Sequence, residues 1–209
     1  MGVQRVIDRA EGKRAQIRDA ARHLFLVHGF AGASTDAIRA AAGVSKETLY
    51  RYYPSKEELF ADVLRQLTLD NPHRPILDLL ERATAGNSDE FRAALTEIAQ
   101  AIAATLMQPD YVALLRVIFA EAPRFPQLRG LFRATIPDQA MRGIAALLAR
   151  ARAAGLIHVD DLDAATRLFL GPLLTYLVLD GLLATEESPH PPEPDRIARI
   201  VALYLNAVA

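Results

Sequence analysis

The chain has 209 residues, 51% of them hydrophobic, which suffices for a packed core in one large domain or two small ones. It has no cysteine, which excludes disulfides, thiolate zinc sites and a cysteine nucleophile, and is compatible with a reducing cytoplasm. The net charge of −1 is unevenly divided: residues 1–60 hold ten Lys and Arg against seven Asp and Glu, and residues 61–209 hold fourteen against eighteen. Attraction to phosphate is therefore expected at the amino-terminal end.

That end carries cations without an apolar run, so we expect neither a signal peptide nor a membrane anchor there. The cations are Arg5, Arg9, Lys13 and Arg14. Two interpretations stay open: a solvated tail, and a segment that touches a phosphate backbone transiently. An amphipathic helix follows and ends near Gly29. Its apolar face consists of Ile17, Ala20, Ala21, Leu24 and Phe25.

Residues 34–60 have the pattern of two short helices joined by a turn, followed by the start of a third helix. Ser34 and Ser45 are suitable N-caps, and Gly43 tolerates the left-handed conformation that ends a helix. Leu49 and Tyr53 lie four residues apart, which predicts a narrow buried stripe on the second helix. Its other face is therefore available for contacts.

That available face combines a cation, hydroxyls and aromatic rings, which suit phosphates, base edges and thymine methyl groups. We assign base contacts to Lys46 and Tyr50, with Glu47 as a further candidate. Phosphate contacts are predicted for Ser34, Thr35, Thr48, Tyr52 and Lys56. Lys56 opens the third helix, where an ammonium and unpaired backbone N–H groups could meet one phosphate.

The stretch GVSKETLYRYYPSKEELF resembles the recognition-helix signature of the TetR family of bacterial transcription regulators, and RAQIRDAARHLFLVHGFAGAS resembles the first helix of that family. The resemblance implies a DNA-binding regulator, usually a repressor. Two positions depart from it. Many relatives have glycine where this chain has Glu47, and some members have a base-contacting cation at the position of Asp36. An acidic side chain there would repel phosphate unless it accepts a hydrogen bond from a donor such as a cytosine amino group.

Beyond residue 60 the apolar pattern stays helical and contains no hairpin signal, so we predict an all-α fold. The amino-terminal helix-turn-helix domain is expected at residues 1–60 and a larger helical effector-binding and dimerisation domain at 61–209. The predicted helices after residue 55 are 56–69, 75–85, 88–107, 110–121, 126–134, 138–154, 161–184 and 194–208. Pro and Gly punctuate these segments.

The stretches EAPRFPQLRGLF and GLIHVDDLDAATRLFLGPLL are similar to the carboxy-terminal domain of the AefR-like branch of that family. The resemblance implies an effector pocket among the middle helices, whose apolar walls favour a small, largely apolar effector. Arg116 could pair with an anionic group, or it could lay its stem on the surface with its charge in water. The candidate lining residues are Met107, Tyr111, Leu115, Arg116, Phe119, Met141 and Tyr176.

The last two predicted helices carry wide apolar stripes, which could form an internal core or a contact between two copies. The family resemblance implies a homodimer built as a four-helix bundle, and two symmetric reading helices would add their affinities, so we favour the interface. The interface residues expected are Phe169, Leu173, Leu177, Ile197, Ile200, Val201, Tyr204, Leu205 and Val208.

Other classes of protein fit less well. The apolar run 168–184 is shorter than the roughly 20 residues that span a bilayer, and it contains Pro172 and Asp180. The five histidines are scattered, and no metalloprotease, hydrolase or phosphate-loop motif occurs, so we expect no enzyme, metal site or cofactor. The prediction is a cytoplasmic, ligand-responsive DNA-binding regulator. The alternative is a helical interaction or small-molecule-binding module that does not read DNA.

Overall fold

The computed structural model of the protein describes residues 2–68, 76–135, 137–184 and 189–209, with side chains from residue 11 onward except at 68, 135 and 137. The described residues contain no strand, so the predicted all-α class is confirmed. The helices are α1 (Gly2–Gly32), α2 (Thr35–Ala41), α3 (Lys46–Tyr52), α4 (Lys56–Thr68), α5 (Ile76–Arg82), α6 (Ser88–Leu106), α7 (Pro109–Glu121), α8 (Gln127–Thr135), α9 (Pro137–Ala153), α10 (Leu162–Tyr176) and α11 (Pro194–Val208).

Two predicted helices differ from the observed ones by more than two residues at one end. The helix predicted to end at residue 85 ends at Arg82. Beyond that end, Arg150 of α9 donates to the Ala83 carbonyl at 3.2 Å and gives this carbonyl a hydrogen-bond partner outside the helix. The helix predicted over 161–184 changes after α10 into a π-helical turn, Leu177–Leu182. Predicted helix ends at residues 69 and 75 lie outside the described residues.

The chain forms two compact units, and the first contains residues 1–66 together with 113–132. The predicted division at residue 60 stays a prediction; within this unit, Phe125 of the second segment packs on Phe30 of the first. The Phe30 ring is 5.3 Å from the Phe125 ring and 5.3 Å from the Phe60 ring, and the Phe25 ring is 4.9 Å from the Phe60 ring. Edge-on contacts at these distances are favourable beyond the area they bury. We call these four rings the phenylalanine cluster.

Polar contacts hold the corner between α1 and α2 beside this cluster. Gly29 breaks α1 with a φ of 70°, as its predicted place at the helix end requires. The carboxylate of Glu121 accepts from the backbone N–H of Ala31 at 3.2 Å. Lys56 donates to the Phe30 carbonyl at 2.8 Å, and its ammonium lies 4.5 Å from the centre of the Phe30 ring. Burial lowers the pKa of Lys56.

The second unit, residues 67–112 and 133–209, has its core between α6, α10 and α11, with α9 packed on α5 and α10. The Phe169 and Tyr204 rings meet at 5.3 Å within it. The π-helical turn packs against Val112 and Met107: a Cβ added at Gly181 would lie 3.4 Å from Val112 and 3.6 Å from Met107, which are ordinary van der Waals distances.

The structure buries most of the residues expected at a dimer interface within a single copy, through the contacts of α10 and α11 with each other and with α6. The buried ones are Phe169, Leu173, Leu177, Ile197, Val201, Tyr204 and Val208. Ile200 and Leu205 are half-buried. Their place at an interface between copies stays a prediction.

Residues Leu162–Leu182 form a 21-residue helical stretch that is long and apolar enough to cross a membrane by length and composition alone. One face of it is covered by the protein's own helices, through Ala165, Phe169 and Leu173. A core helix of a globular domain passes the same test of length and composition.

We expect Lys56→Met to lower the free energy of unfolding by about 1 kcal/mol, because the Phe30 carbonyl loses a charged donor while the apolar stem is retained. Lys46→Met is the matched control, since Lys46 is exposed and its loss should change stability by less than about 0.5 kcal/mol. Urea unfolding followed by circular dichroism measures both. Equal stabilities of the two variants would show that the Lys56 contacts contribute nothing.

Candidate DNA-binding surface

The turn between α2 and α3 is fixed by capping groups. The Ser34 hydroxyl accepts from the N–H of Ala37 at 3.1 Å, and the Ser45 hydroxyl accepts from the N–H of Thr48 at 3.1 Å. Gly43 has a φ of 59°, a left-handed conformation that favours glycine. The predicted caps and turn are therefore confirmed, and they set the orientation of α3 relative to α2.

The helix α3 has one buried and one exposed face, as the four-residue spacing predicts. Leu49 and Tyr53 are only 2% and 3% exposed, so they anchor the helix. The opposite face is open to solvent. Lys46, Glu47, Tyr50 and Arg51 are exposed on it, while Thr48 and Tyr52 are half-buried.

Three hydroxyl groups predicted to hold phosphates already have partners. Ser34 caps α2, as described above. The Thr48 hydroxyl lies 2.9 Å from that of Ser45, and the Thr35 hydroxyl lies 3.5 Å from that of Tyr50. A hydroxyl that accepts one hydrogen bond keeps further capacity, so these contacts orient the groups without excluding a phosphate.

Two arginines on this surface were not singled out from the sequence. Arg39 donates to Asp36 at 2.8 Å, and this hydrogen bond, with a smaller contribution from Lys46, lowers the pKa of Asp36. The carboxylate of Asp36 is thus charge-compensated, which reduces the phosphate repulsion expected from it. Arg51 lies with its guanidinium 5.3 Å from the centre of the Tyr52 ring. The sequence signal that could have identified these two arginines is their position in the last turns of the two predicted short helices.

The basic residues of the amino-terminal end lie within α1, which begins at Gly2, and they separate into two groups. The backbone is helical from Gly2, and the side chains of Arg5 and Arg9 lie outside the described residues. Lys13 donates to Gln16 at 3.0 Å, and Arg14 pairs with Asp62 at 3.3 Å. Arg14 therefore has an internal role in the first unit.

The candidate effector residues are divided between the two units. Met107, Tyr111, Met141 and Tyr176 belong to the second unit, where the first two are buried and the others are half-buried. Tyr176 lines an open cleft with Arg196 and Arg199. Leu115, Arg116 and Phe119 belong to the first unit; Leu115 is buried, Arg116 is exposed and Phe119 is 60% exposed. Their role in effector binding stays a prediction.

Comparison with known proteins supports the family on both parts of the chain. A model of bacterial regulatory proteins of the tetR family matches residues 17–63, and a model of the carboxy-terminal domain of AefR-like transcriptional repressors matches residues 93–207. Among solved structures, the flavonoid-responsive regulator FrrA is 32% identical with a TM-score of 0.69, covering 94% of this chain and 97% of its own.

Two relatives resemble the amino-terminal part. The transcriptional repressor SCO4008 of Streptomyces coelicolor is 47% identical over 60 residues, which are 29% of this chain and 31% of that protein. The transcriptional activator FasR of Mycolicibacterium smegmatis is 39% identical over 83 residues, 40% of this chain and 37% of that protein. The chain thus spans about a third of the length of these relatives. Together with the helix-turn-helix and the family models, these likenesses show that the chain belongs to the TetR family of bacterial transcriptional regulators.

Proposed function

We propose that this protein is a cytoplasmic, homodimeric repressor that leaves a palindromic operator when it binds a small, largely apolar effector. The exposed face of α3 carries the proposal. It presents Lys46, Glu47 and Tyr50 between a capped start and a buried anchor at Tyr53. A rigid, two-turn helix with exposed polar side chains suits the major groove, where each base pair offers a distinct set of donors and acceptors.

Phosphate contacts would come from the surroundings of α3. Ser34, Thr35, Thr48 and Tyr52 offer hydroxyl groups, and Arg39 and Arg51 add exposed or half-exposed cations that we include on structural grounds. Lys56 is a weaker candidate for a phosphate contact, because its ammonium already donates to the Phe30 carbonyl. Phosphate contacts fix the register of the helix on the duplex, while base contacts determine the sequence.

The dimer interface that we propose lies on the exposed sides of α10, the π-helical turn and α11. Exposed apolar side chains lie there on consecutive or contacting elements, and a large exposed apolar surface marks interaction sites on soluble proteins. They are Leu168, Leu174, Val178, Leu179, Leu183 and Leu203, each at least 43% exposed. Ile200 and Leu205 are half-buried and can contribute at the edge of this surface. A symmetric pair would present two reading helices to two half-sites.

The response to an effector would be a shift between two states. A small molecule that binds better when the two reading helices are wrongly spaced must weaken operator affinity by the same factor, because linkage is reciprocal. The named response of FrrA makes flavonoids the first compounds to test. Met107 and Tyr111 are the buried candidates for the pocket, and Tyr176 lies at an open cleft.

For DNA reading we expect Lys46→Ala to change base preference within the half-site, with a loss of about 1 to 3 kcal/mol for the preferred base. Arg51→Ala should instead weaken binding to all sequences alike and reduce the magnitude of the log-log salt slope by about 0.9 for each phosphate contact, or roughly 2 for a dimer. Fluorescence anisotropy on a duplex selected from a random pool measures both. An unchanged base preference in Lys46→Ala would exclude Lys46 from the major groove.

For assembly we expect Leu203→Arg to give a folded monomer with poor operator affinity, since a buried unpaired charge costs several kcal/mol at an apolar contact. Val27→Arg is the matched control: Val27 is 58% exposed but lies on α1, which is not one of the proposed interface elements. Light scattering should find Val27→Arg dimeric. A wild-type protein that is monomeric at micromolar concentration would contradict the dimer.

For the effector we expect one compound of a largely apolar panel to raise the melting temperature and release operator DNA in the same concentration range. At a hundred times its dissociation constant it should stabilise the fold by about 2.7 kcal/mol, or roughly 5 to 10 °C. The Lys46→Ala variant serves as control, because it should show the same thermal shift while binding DNA differently. If every stabilising compound left operator binding unchanged, the protein would not be ligand-gated in this way.

A further inference from the structure

A buried carboxylate lies behind the recognition helix. Asp62 of α4 is 6% exposed and is the one charged residue among those that the described chain buries. An ionised carboxylate removed from water is tolerated when charges and hydrogen bonds compensate it. The groups that compensate the charge of Asp62 therefore identify the parts of the fold that this carboxylate connects.

Four groups surround Asp62, and they come from three parts of the first unit. The Tyr53 hydroxyl donates to Oδ2 at 2.6 Å, and Arg14 of α1 donates to the same oxygen at 3.3 Å. Arg18 of α1 lies 3.7 Å from Oδ2, and Arg65 of α4 lies 3.8 Å from Oδ1. The hydroxyl contact is the shortest of the four, so Tyr53 is the most tightly held partner.

Tyr53 is the residue that ends the recognition helix. Its backbone N–H donates to the Leu49 carbonyl at 2.9 Å, and its φ of −138° turns the chain out of the helix. The Arg14 guanidinium lies 5.3 Å from the centre of its ring. Burial, followed by the hydrogen bond to Asp62, raises the pKa of Tyr53, so that the hydroxyl remains a donor at neutral pH.

We propose that Asp62 is a positioning residue for DNA reading, which orients α3 by holding the Tyr53 hydroxyl against α1 and α4. The proposal rests on the proposed DNA-binding function. The helix α3 has only seven residues, and its anchors are Leu49 and Tyr53, so a change at Tyr53 tilts the face that carries Lys46. Recognition groups need placement within about 0.5 Å and 10 to 20°. Loss of the hydroxyl contact therefore affects base readout more than phosphate attraction.

The test compares Tyr53→Phe with wild type on two duplexes of equal length: the sequence that wild-type protein enriches from a random pool, and an unrelated one. We expect affinity for the enriched duplex to fall about tenfold, affinity for the unrelated duplex to change less than twofold, and the salt slope to stay the same. Thr105→Val is the matched control, because it also removes a buried hydroxyl, and the Thr105 hydroxyl lies in the second unit, where it donates to the Ala101 carbonyl of its own helix at 2.9 Å. It should leave both affinities unchanged.

Variants at Asp62 separate positioning from mere folding. Asp62→Asn keeps an acceptor oxygen for Tyr53 and should retain most of the selectivity, whereas Asp62→Ala should lose as much as Tyr53→Phe. In the Asp62→Ala background, Tyr53→Phe should have no further effect, because the contact is already gone.

An enriched-to-unrelated affinity ratio for Tyr53→Phe within twofold of wild type would overturn the proposal, and so would an equal fall on both duplexes. If circular dichroism shows that Tyr53→Phe is unfolded, the proposal is tested by comparing Asp62→Asn with Asp62→Ala. Equal enriched-to-unrelated affinity ratios for these two variants would overturn it. A wild-type protein that enriches no sequence would contradict DNA reading itself, which is a different failure from a wild type that selects and a Tyr53→Phe variant that selects equally well.

Discussion

The packing of four phenylalanine rings is the constraint on which the DNA-reading unit depends. Phe25 and Phe30 come from α1, Phe60 from α4 and Phe125 from the segment 113–132, so the cluster joins parts of the chain that are far apart in sequence. Phe30 is central, because its ring meets Phe125 and its carbonyl accepts from Lys56. A displacement of the segment 113–132 would reach the corner between α1 and α2 through Phe30 and through the contact of Glu121 with Ala31. That gives the proposed effector response a physical route inside this unit.

The polar residues of this unit divide into internal supports and exposed contacts. Ser34 and Ser45 cap helices, and Asp62 holds the end of α3 through Tyr53. These groups fix where α3 lies, and they leave Lys46 and Tyr50 exposed on its other face. A binding site of this kind needs both sets, because an exposed side chain reads DNA only if the helix beneath it is held still.

Local sequence signals predict much of this structure, since caps, glycine positions and apolar spacing act within a few residues. The turn at Gly43 and the buried pair Leu49 and Tyr53 are of this kind. Periodicity cannot tell which element covers an apolar face: the stripe containing Ile197 and Tyr204 is compatible with an interface and with an internal core, and its burial by α6 and α10 becomes visible only in the structure. A cation at the start of a helix resembles a phosphate ligand, yet Lys56 folds back on Phe30 through a contact that sequence alone does not reveal.

The central claim is that the exposed face of α3 reads a specific DNA sequence in a symmetric pair. The most direct measurement is sequencing of the DNA that wild-type protein retains from a random double-stranded pool at physiological salt. The account predicts an enriched inverted repeat whose half-site centres are about one helical turn, roughly 34 to 36 Å, or a multiple of it apart. A retained pool that binds to the protein but carries no enriched sequence would contradict it.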